Sequence, residues 1–365
     1  MKEQKRIIIA GAGIIGAAIA YQLARAGASV TVVEKGEPGQ GATANSFAWI
    51  NASRGKKPHH YYLLNRLGIA AWSDLEKQLP DKLMVRWGGS LEWHHDADRA
   101  AAVLEATRRH QSWGYPVRPI SVETFTELEP QLTPGEPAAA LFGEIEGHVD
   151  PVHVTRVLLA EAEALGAQLL TGCEVVGLDR PDNQLQAVRT SQGAIPADTL
   201  VIAAGTGSPA LAALAGLNVP LQDSPGVLVH TAPQPELIQR IILSPHGHMK
   251  QKPDGRLVVG LSFKGTDGTD TSTEAGQQLL QSAAQSLPHL SDIPIEKLTL
   301  GWRVLPADEL PIIGAPEAAP DIYLAAMHSG ITLGPLVGRL AASEILDGVR
   351  VDLLAPYRLE RLAGK

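Results

Sequence analysis

Three glycines and a glutamate near the start of the chain have the types and spacing of a phosphate-binding turn. Gly11, Gly13 and Gly16 directly follow a run of apolar residues. Gly11 would permit a tight turn, Gly13 would let the backbone approach a pyrophosphate, and Gly16 would let a helix pack close to the preceding strand. Glu34 lies about 20 residues further on, where a carboxylate accepts hydrogen bonds from a ribose 2′-hydroxyl. These four residues predict a dinucleotide site.

The elements that such a site requires are also indicated around the glycines. The run Arg6–Ala10 is typical of a buried parallel strand. Residues 16–26 have apolar positions at helical spacing, and residues 28–33 predict a second, β-branched strand. This context is informative, because glycines at the same spacing also occur in ordinary turns.

Composition argues against several other classes of function. The chain has 365 residues, with 31 Lys and Arg against 39 Asp and Glu, so nucleic acid is not an expected partner. It has no run of about 18 uninterrupted apolar residues, and we predict no membrane span. The single cysteine, Cys173, excludes an internal disulfide framework and fits a cytoplasmic location. The histidine pairs at 59–60 and 94–95 lack metal-ligand spacing, and no metal site is predicted.

Further along the chain, the pattern alternates between helices and strands. Apolar positions at helical spacing predict helices at 59–79, 97–113, 149–165 and 332–346. Other segments predict antiparallel strands at 225–264, a single strand at 167–178 and an irregular stretch at 116–137. Segments typical of the nucleotide fold come from both ends and the middle of the chain, so a second domain must be inserted. We therefore predict an α/β fold, in which a Rossmann-like dinucleotide-binding domain carries an inserted antiparallel-sheet domain.

Four local patterns are spread over nearly the whole chain. The first is the N-terminal unit with Glu34, followed by GQGATA at 39–44, and the second is VIAAG at 201–205. The third is GWRVLPADELPIIG at 301–314, and the fourth is HSGITLGP at 328–335. Together and in this order, they resemble the D-amino-acid oxidase-like (DAO) family of FAD-dependent amine oxidoreductases, which includes glycine oxidase, sarcosine oxidase and D-amino-acid dehydrogenase.

The resemblance implies a glutathione-reductase-like FAD fold with noncovalent FAD. Monomeric sarcosine oxidases attach their flavin to a late cysteine, which the stretch 325–327 does not offer. The FAD-binding domain would comprise residues 1–82, 146–220 and 299–365, and the substrate-binding domain residues 83–145 and 221–298. The residues expected at the cofactor are Gly11, Gly13, Ile14, Ile15, Gly16, Glu34, Lys35, Ala42, Thr43, Val175, Ala204, Gly205, Arg303, Gly330, Ile331 and Thr332.

Three basic residues are candidates for the catalytic, substrate-facing positions. Arg303 matches the family residue that binds the amino-acid carboxylate, although arginines are more often exposed on the surface. His328 stands where glycine oxidase has an arginine, so its contact with a carboxylate would depend on pH. His248 lies near the position of a substrate-side tyrosine, and as a lone histidine it can equally be structural.

Other residues near the expected flavin have two interpretations. The helix that starts at Gly330 would direct its N-terminal dipole at the flavin, or it follows a purely structural glycine turn. Phe47, Trp49 and Asn51 either shape the pocket or pack under the ring. Lys264 either places positive charge near the flavin or is a solvated hairpin lysine.

The implied function is that of an amine or amino-acid oxidase or dehydrogenase. It would oxidise the C–N bond of a small amino acid or N-substituted amino acid, such as a D-amino acid, glycine or sarcosine, to an imine by hydride transfer to flavin N5. The electron acceptor would be oxygen or a quinone; a homo- or hetero-oligomer is compatible with the resemblance, and the sequence does not decide the oligomeric state. Two alternatives stay open, namely a flavoprotein subunit of a hetero-oligomeric amine or opine dehydrogenase, and a nonenzymatic FAD-binding protein.

Overall fold

The computed structural model describes residues 4–53, 55–261 and 268–363. Its helices are α1 (Ile14–Arg25), α2 (His59–Gln78), α3 (Ala97–Ser112), α4 (Val122–Leu128), α5 (Pro151–Ala164), α6 (Ser208–Ala213), α7 (Thr273–Ala283) and α8 (Gly330–Asp347). Its strands are β1 (Arg6–Ala10), β2 (Ser29–Val33), β3 (Trp49–Ile50), β4 (Arg86–Trp87), β5 (Ser90–His94), β6 (Val117–Pro119), β7 (Ala139–Gly143), β8 (Gly147–His148), β9 (Gln168–Leu170), β10 (Val175–Asp179), β11 (Ala187–Thr190), β12 (Gly193–Pro196), β13 (Thr199–Ile202), β14 (Leu221–Gln222), β15 (Pro225–Thr231), β16 (Ile241–Ser244), β17 (Gly247–Gln251), β18 (Leu257–Gly260), β19 (Ile295–Trp302), β20 (Leu305–Pro306), β21 (Ile312–Gly314) and β22 (Ile322–Ala326).

The first large sheet contains the strand–helix–strand unit predicted at the N-terminus. Its strand order is β21–β22–β13–β1–β2–β9, and all neighbours are parallel except β21 with β22. Ile7, Ile8 and Ile9 of β1 are at most 1% exposed, as expected for a central parallel strand that is covered on both faces. This sheet draws its strands from residues 6–33, 168–202 and 312–326, so distant parts of the chain build it.

Helix α1 lies between α5 and α8, and the three helices cover one face of this sheet. The contact between α1 and α8 depends on a glycine, because a Cβ atom added at Gly338 would lie 2.6 Å from the carbonyl oxygen of Ala18. The close packing holds the start of α8 beside the start of α1. Both helix N-termini thereby reach the same side of the molecule.

The second large sheet has the strand order β19–β15–β18–β17–β16–β5–β7–β6. Its neighbours are antiparallel, as predicted for 225–264, except that β16 and β5 run parallel. Trp93, Phe125 and Met249 belong to the apolar core on this sheet and are at most 1% exposed. The sheet supplies a second wall opposite the carboxyl ends of the parallel strands.

Two local predictions from the sequence were wrong. Residues 167–178 form two strands, β9 and β10, because the chain turns at Gly172 (φ +59°) and the Cys173 amide donates to the Glu34 carbonyl. Residues 116–137 are not wholly irregular, since they contain β6 and α4. Ser121 caps α4 by accepting a hydrogen bond from Thr124, a contact between neighbours that also occurs in loops.

No helix within the described residues combines the length and the apolar character needed to cross a membrane.

Candidate functional site

A cavity of about 990 Å³ opens at the carboxyl ends of β1, β2 and β13. Its wall includes Val33 and Ala203 from the first large sheet and Leu228 and Gly260 from the second. Ligands of open parallel sheets bind at this edge, where the loops after the strands meet. The cavity therefore lies where the sequence predicts the dinucleotide.

The glycine turn after β1 forms one end of the cavity. Gly11 has φ +107°, and a Cβ atom there would lie 2.5 Å from the Ala203 carbonyl oxygen. A Cβ atom at Gly16 would lie 1.9 Å from the Gly11 carbonyl oxygen, so Gly16 serves close packing behind the turn and does not itself line the cavity. The turn brings backbone, without side chains, to the cavity surface at Gly11 and Gly13.

The start of α1 and the end of β2 complete this end of the cavity. The first hydrogen bond within α1 runs from the Ala17 amide to the Gly13 carbonyl, and the Ile14 amide donates to Thr43 Oγ1 at 3.1 Å. Glu34 Oε2 accepts a hydrogen bond from the Ala12 amide at 2.8 Å, which holds the carboxylate against the turn. A helix N-terminus, a bare glycine backbone and a fixed carboxylate fit the pyrophosphate and ribose of FAD.

The N-terminus of α8 forms the cavity wall further along. Ser329 has φ +62°, and the first bond within the helix runs from the Leu333 amide to the Ser329 carbonyl. The amides of residues 330–332 are therefore outside the helical hydrogen-bond ladder, and these three residues line the cavity. Thr332 Oγ1 donates to the Trp49 carbonyl and accepts from the Asn51 amide, both at 3.2 Å, which ties the segment 49–51 to this helix end.

A buried carboxylate supports the other side of the same segment. Glu146 is fully buried and accepts hydrogen bonds from Trp49 Nε1 at 2.8 Å, Ser53 Oγ at 2.6 Å and the Tyr115 hydroxyl at 2.6 Å. Burial raises the pKa of Glu146, while these donors oppose the rise. Phe47, Trp49 and Asn51 all line the cavity, which agrees with both interpretations of this segment.

Arg303 lies at the end of β19, on the cavity wall. Its guanidinium donates to the Pro225 carbonyl, and its Nη1 lies 3.4 Å from Ser224 Oγ. A Cβ atom at Gly226 would come within 2.6 Å of Nη2, so the guanidinium lies flat against a strand that has no side chain there. Burial lowers the pKa of Arg303, and the group is nevertheless a cation at neutral pH.

His328, Ser329 and Lys56 form a polar cluster next to the start of α8. His328 Nδ1 lies 3.2 Å from Ser329 Oγ, and the Lys56 ammonium donates to the same hydroxyl. Tyr61 joins the cluster, with its hydroxyl 3.0 Å from Ser329 Oγ. Burial, and then the charges of Lys56 and Arg303, lower the pKa of His328 to about 3. The imidazole is therefore neutral around pH 7.

His248 lies on β17, on the wall supplied by the second large sheet. Its ring centroid is 6.4 Å from that of Phe47. Lys250, two residues along the same strand, is 1% exposed; it lies 5.8 Å from the Phe47 ring and donates to the Val149 carbonyl at 2.9 Å. Burial lowers the pKa of Lys250 to about 7.

The cavity brings together the residues that the sequence places at cofactor and substrate. Every predicted cofactor residue except Gly16 lines it, as do His248 and His328. Their contacts with a bound cofactor or substrate stay predictions. Lys264 lies outside the described residues. The sequence did not indicate Lys56, Tyr61 and Ser329 as site residues. Lys56 precedes α2 and Tyr61 is within it, and neither has a sequence pattern that indicates its contact with Ser329 in the folded chain.

Comparison with known proteins gives similarity over almost the whole chain. Residues 6–344 match the family described as "DAO: FAD dependent oxidoreductase". The chain is 28% identical over 369 residues to glycine oxidase of Bacillus licheniformis, covering 99% of this chain and 98% of that protein. It is 27% identical over 379 residues to an opine oxidase subunit of Agrobacterium tumefaciens (strain Ach5), covering 97% of this chain and 96% of that protein. Its fold is similar to the crystal structure of glycine oxidase from Geobacillus kaustophilus, with a TM-score of 0.89, 24% identity and 99% of both chains covered.

Proposed function

Because this chain belongs to the DAO family of FAD-dependent oxidoreductases, we propose that it oxidises the C–N bond of a small amino acid or N-substituted amino acid. FAD, when bound, supplies the redox chemistry by taking two electrons and one proton, as a hydride, from the carbon next to nitrogen. The nitrogen loses one further proton, which leaves an imine. Water then hydrolyses the imine to an oxo acid and ammonia or a released amine.

The observation that carries this proposal is the position of Arg303. Its guanidinium is fixed by Pro225 and Ser224 on the wall of the cavity that also contains the glycine turn. A planar guanidinium held in one orientation suits a carboxylate, which it can bind through two parallel hydrogen bonds. A substrate bound in this way has its Cα close to the carboxylate and therefore at a fixed place in the cavity.

The charges of the cavity favour the form of the amine that can be oxidised. Arg303 and Lys56 are cations on its wall, and nearby positive charge lowers the pKa of a bound ammonium group. His328, with a pKa of about 3, is too weak a base to take this proton near pH 7. We propose that the substrate amine loses its proton because of the surrounding charge, without a dedicated general base.

A second candidate function is that of a flavoprotein subunit in a hetero-oligomeric amine or opine dehydrogenase. The similarity to the opine oxidase subunit of Agrobacterium tumefaciens over 97% of this chain supports it. Such a protein would be reduced by substrate but would pass its electrons to a partner or a quinone, and it would turn over poorly with oxygen. Family membership gives no support to a nonenzymatic role.

The experiment that tests the proposal is anaerobic. The purified yellow protein is mixed with D-, L- and N-alkylated amino acids while the visible band of the oxidised flavin is recorded. We expect one class of substrate to bleach the band, and readmitted oxygen then separates an oxidase from a dehydrogenase. A flavin that dithionite reduces but no amine reduces would contradict the proposal.

A further inference from the structure

Lys56 is a buried lysine on the wall of the substrate cavity. It is 6% exposed and lies in the segment between β3 and α2. Lysine is among the residues least often buried, and a buried ammonium normally has an anionic partner. The burial of Lys56 therefore depends on which groups surround its ammonium.

The contacts of Lys56 leave its charge uncompensated. Its ammonium donates to the Ser329 hydroxyl and lies 5.2 Å from the centroid of the Tyr61 ring. Among the residues that the structure describes, no carboxylate lies within 4.0 Å of this ammonium. An ammonium group has three donors, and the serine hydroxyl accepts only one of them.

The uncompensated charge lies at the substrate end of the cavity. The residues that fit a pyrophosphate, Gly11, Gly13 and Thr43, belong to the α1 end, whereas Lys56 is bonded to the residue that precedes α8. Lys56 contacts the same Ser329 hydroxyl as His328, and both Lys56 and Arg303 line the cavity. They approach it from different elements, Lys56 from the segment before α2 and Arg303 from the end of β19.

We propose that the substrate carries two carboxylates, and that Lys56 binds the second while Arg303 binds the one next to the oxidised carbon. This inference rests on the proposed function. The shared chemistry is one amine and two carboxylates in the same molecule, which occurs in two classes of compound. In an N-carboxyalkyl amino acid the second carboxylate is attached through nitrogen, and in an aminodicarboxylic acid it is on the side chain.

The oxidation is balanced in the same way for both classes. The Cα–H bond breaks and its hydrogen leaves with both electrons as a hydride, which bound FAD would accept; the nitrogen releases one proton, and a C=N bond forms. Water adds to this bond, and the C–N bond breaks. An N-carboxyalkyl amino acid would give a 2-oxo acid and a free amino acid, whereas an aminodicarboxylic acid would give an oxo diacid and ammonia.

The first test measures binding without turnover. Diglycolate has two carboxylates around an ether oxygen, methoxyacetate is the matched compound with one, and neither has an oxidisable amine. Each is titrated into the FAD-loaded protein while the flavin spectrum is recorded. We expect wild-type protein to bind diglycolate about tenfold more tightly or better, the effect of one charge-assisted hydrogen bond.

Variants at Lys56 and at an exposed lysine outside the cavity provide the control. Lys56→Met should bring the diglycolate preference to about one, whereas Lys56→Arg should keep most of it, because the charge is retained. Lys77→Met removes the same charge from an exposed lysine near the end of α2, outside the lining of the cavity, and should leave the preference unchanged. Equal binding of the two compounds by wild-type protein, or an undiminished preference in Lys56→Met, would overturn the proposal.

The second test distinguishes the two classes of substrate by anaerobic reduction of the flavin. Iminodiacetate is compared with sarcosine for a carboxylate on nitrogen, and glutamate with norvaline, each in both enantiomers, for one on the side chain. The pair whose diacid advantage disappears in Lys56→Met identifies the class. If Lys56→Met slows all substrates equally, or slows only reoxidation by oxygen, Lys56 acts on the flavin or on oxygen and the proposal is wrong. If no amine reduces the flavin but diglycolate is still preferred, the proposed oxidation fails while the dicarboxylate site stands.

Discussion

The orientation of Arg303 requires a glycine on the strand beside it. A side chain at Gly226 would occupy the place of the guanidinium. Arg303→Leu should raise the KM for carboxylate substrates about tenfold to a hundredfold, because it removes charge-assisted hydrogen bonds that contribute roughly 1.5–3 kcal/mol each. Arg303→Lys keeps the charge but loses the planar fork, so it should recover only part of the loss. Steady-state kinetics at matched FAD content test this, and an unchanged KM in Arg303→Leu would count against the assigned role.

His328 shows how the cavity changes a sequence expectation. From the sequence alone, a histidine in place of an arginine predicts a carboxylate contact that depends on pH near 6.5. Burial and two neighbouring cations lower the pKa of this imidazole to about 3, so it is neutral throughout the range in which an assay is run. His328 therefore carries no positive charge in the substrate-free cavity at the pH of an assay.

The pH dependence of kcat/KM should accordingly lack an inflection from His328. This parameter reports ionisations of the free enzyme and the free substrate. Between pH 5 and 9, His328→Asn should change the height of the profile but not its shape. An inflection near pH 6.5 in wild-type protein that disappears in His328→Asn would show that the imidazole does titrate in this range.

At the scale of elements, the packing of α8 on α1 places both helix N-termini at the cavity. Gly338 and Gly334 lie on the same helix, but only Gly338 abuts backbone: a Cβ atom at Gly334 would be 3.4 Å from a side-chain carbon of Ile14, an ordinary contact. Gly338→Ala should lower the free energy of unfolding by about 1–3 kcal/mol, since the helices must move apart. Gly334→Ala is the matched control and should stay within about 1 kcal/mol of wild type. Urea unfolding measures the free energy of unfolding of both variants. If the interface between α1 and α8 were loose, the two variants would lose the same amount of stability.

The elements that sequence could predict are those with a local signal. The unit β1–α1–β2 combines a strand, a glycine turn and a helix within consecutive residues, and α2 and α8 have clear helical spacing. The break between β9 and β10 could not be predicted, because the amide of Cys173 turns to bond with the end of β2. The contact of Lys56 could not be predicted either, because its partner Ser329 lies 273 residues further along the chain. Its burial is a property of the assembled cavity and not of its neighbours in sequence.

At the scale of the whole molecule, buried histidines make stability depend on pH. His148 is 1% exposed, neither of its ring nitrogens has a hydrogen-bond partner among the described residues, and burial lowers its pKa well below 6.5. Burial likewise lowers the pKa of His230 to about 4. The unfolded chain therefore binds more protons than the folded one below pH 6.5. The stability contributed by the neutral rings is complete above that pH and is lost as the pH falls towards 4.

Removal of one such ring should make the protein less sensitive to acid. Between pH 6.5 and 4.5, His148→Leu should lessen the slope of the free energy of unfolding against pH by up to about 1.4 kcal/mol per unit, the value for one proton. Above pH 7 the difference between variant and wild type should not vary with pH, which provides an internal control. Equal slopes in the two proteins at low pH would mean that His148 is protonated as readily in the folded state.

The division of the chain into an FAD-binding domain of residues 1–82, 146–220 and 299–365 and a substrate-binding domain of residues 83–145 and 221–298 stays a prediction. The two large sheets give it a physical basis, since each has its own apolar core. The cavity lies where the two meet, so residues of both would contribute to substrate binding.

The position of β1 in the middle of a sheet has a consequence for biosynthesis. Its neighbour β13 is formed by residues 199–202, and the sheet also needs β22 at residues 322–326. At about 5–20 residues per second, a ribosome takes roughly 15 to 60 seconds to proceed from β1 to β22. Until β13 emerges, β1 can pair only with β2, and its other apolar edge stays open, a feature that makes partly made chains prone to aggregation. The glycine turn is among the first parts of the protein to be made, and the Gly11 amide can soon bond to the Val33 carbonyl. Ala203, which packs against Gly11 from the other side, emerges much later, so we expect FAD capture to be a late event in the life of the chain.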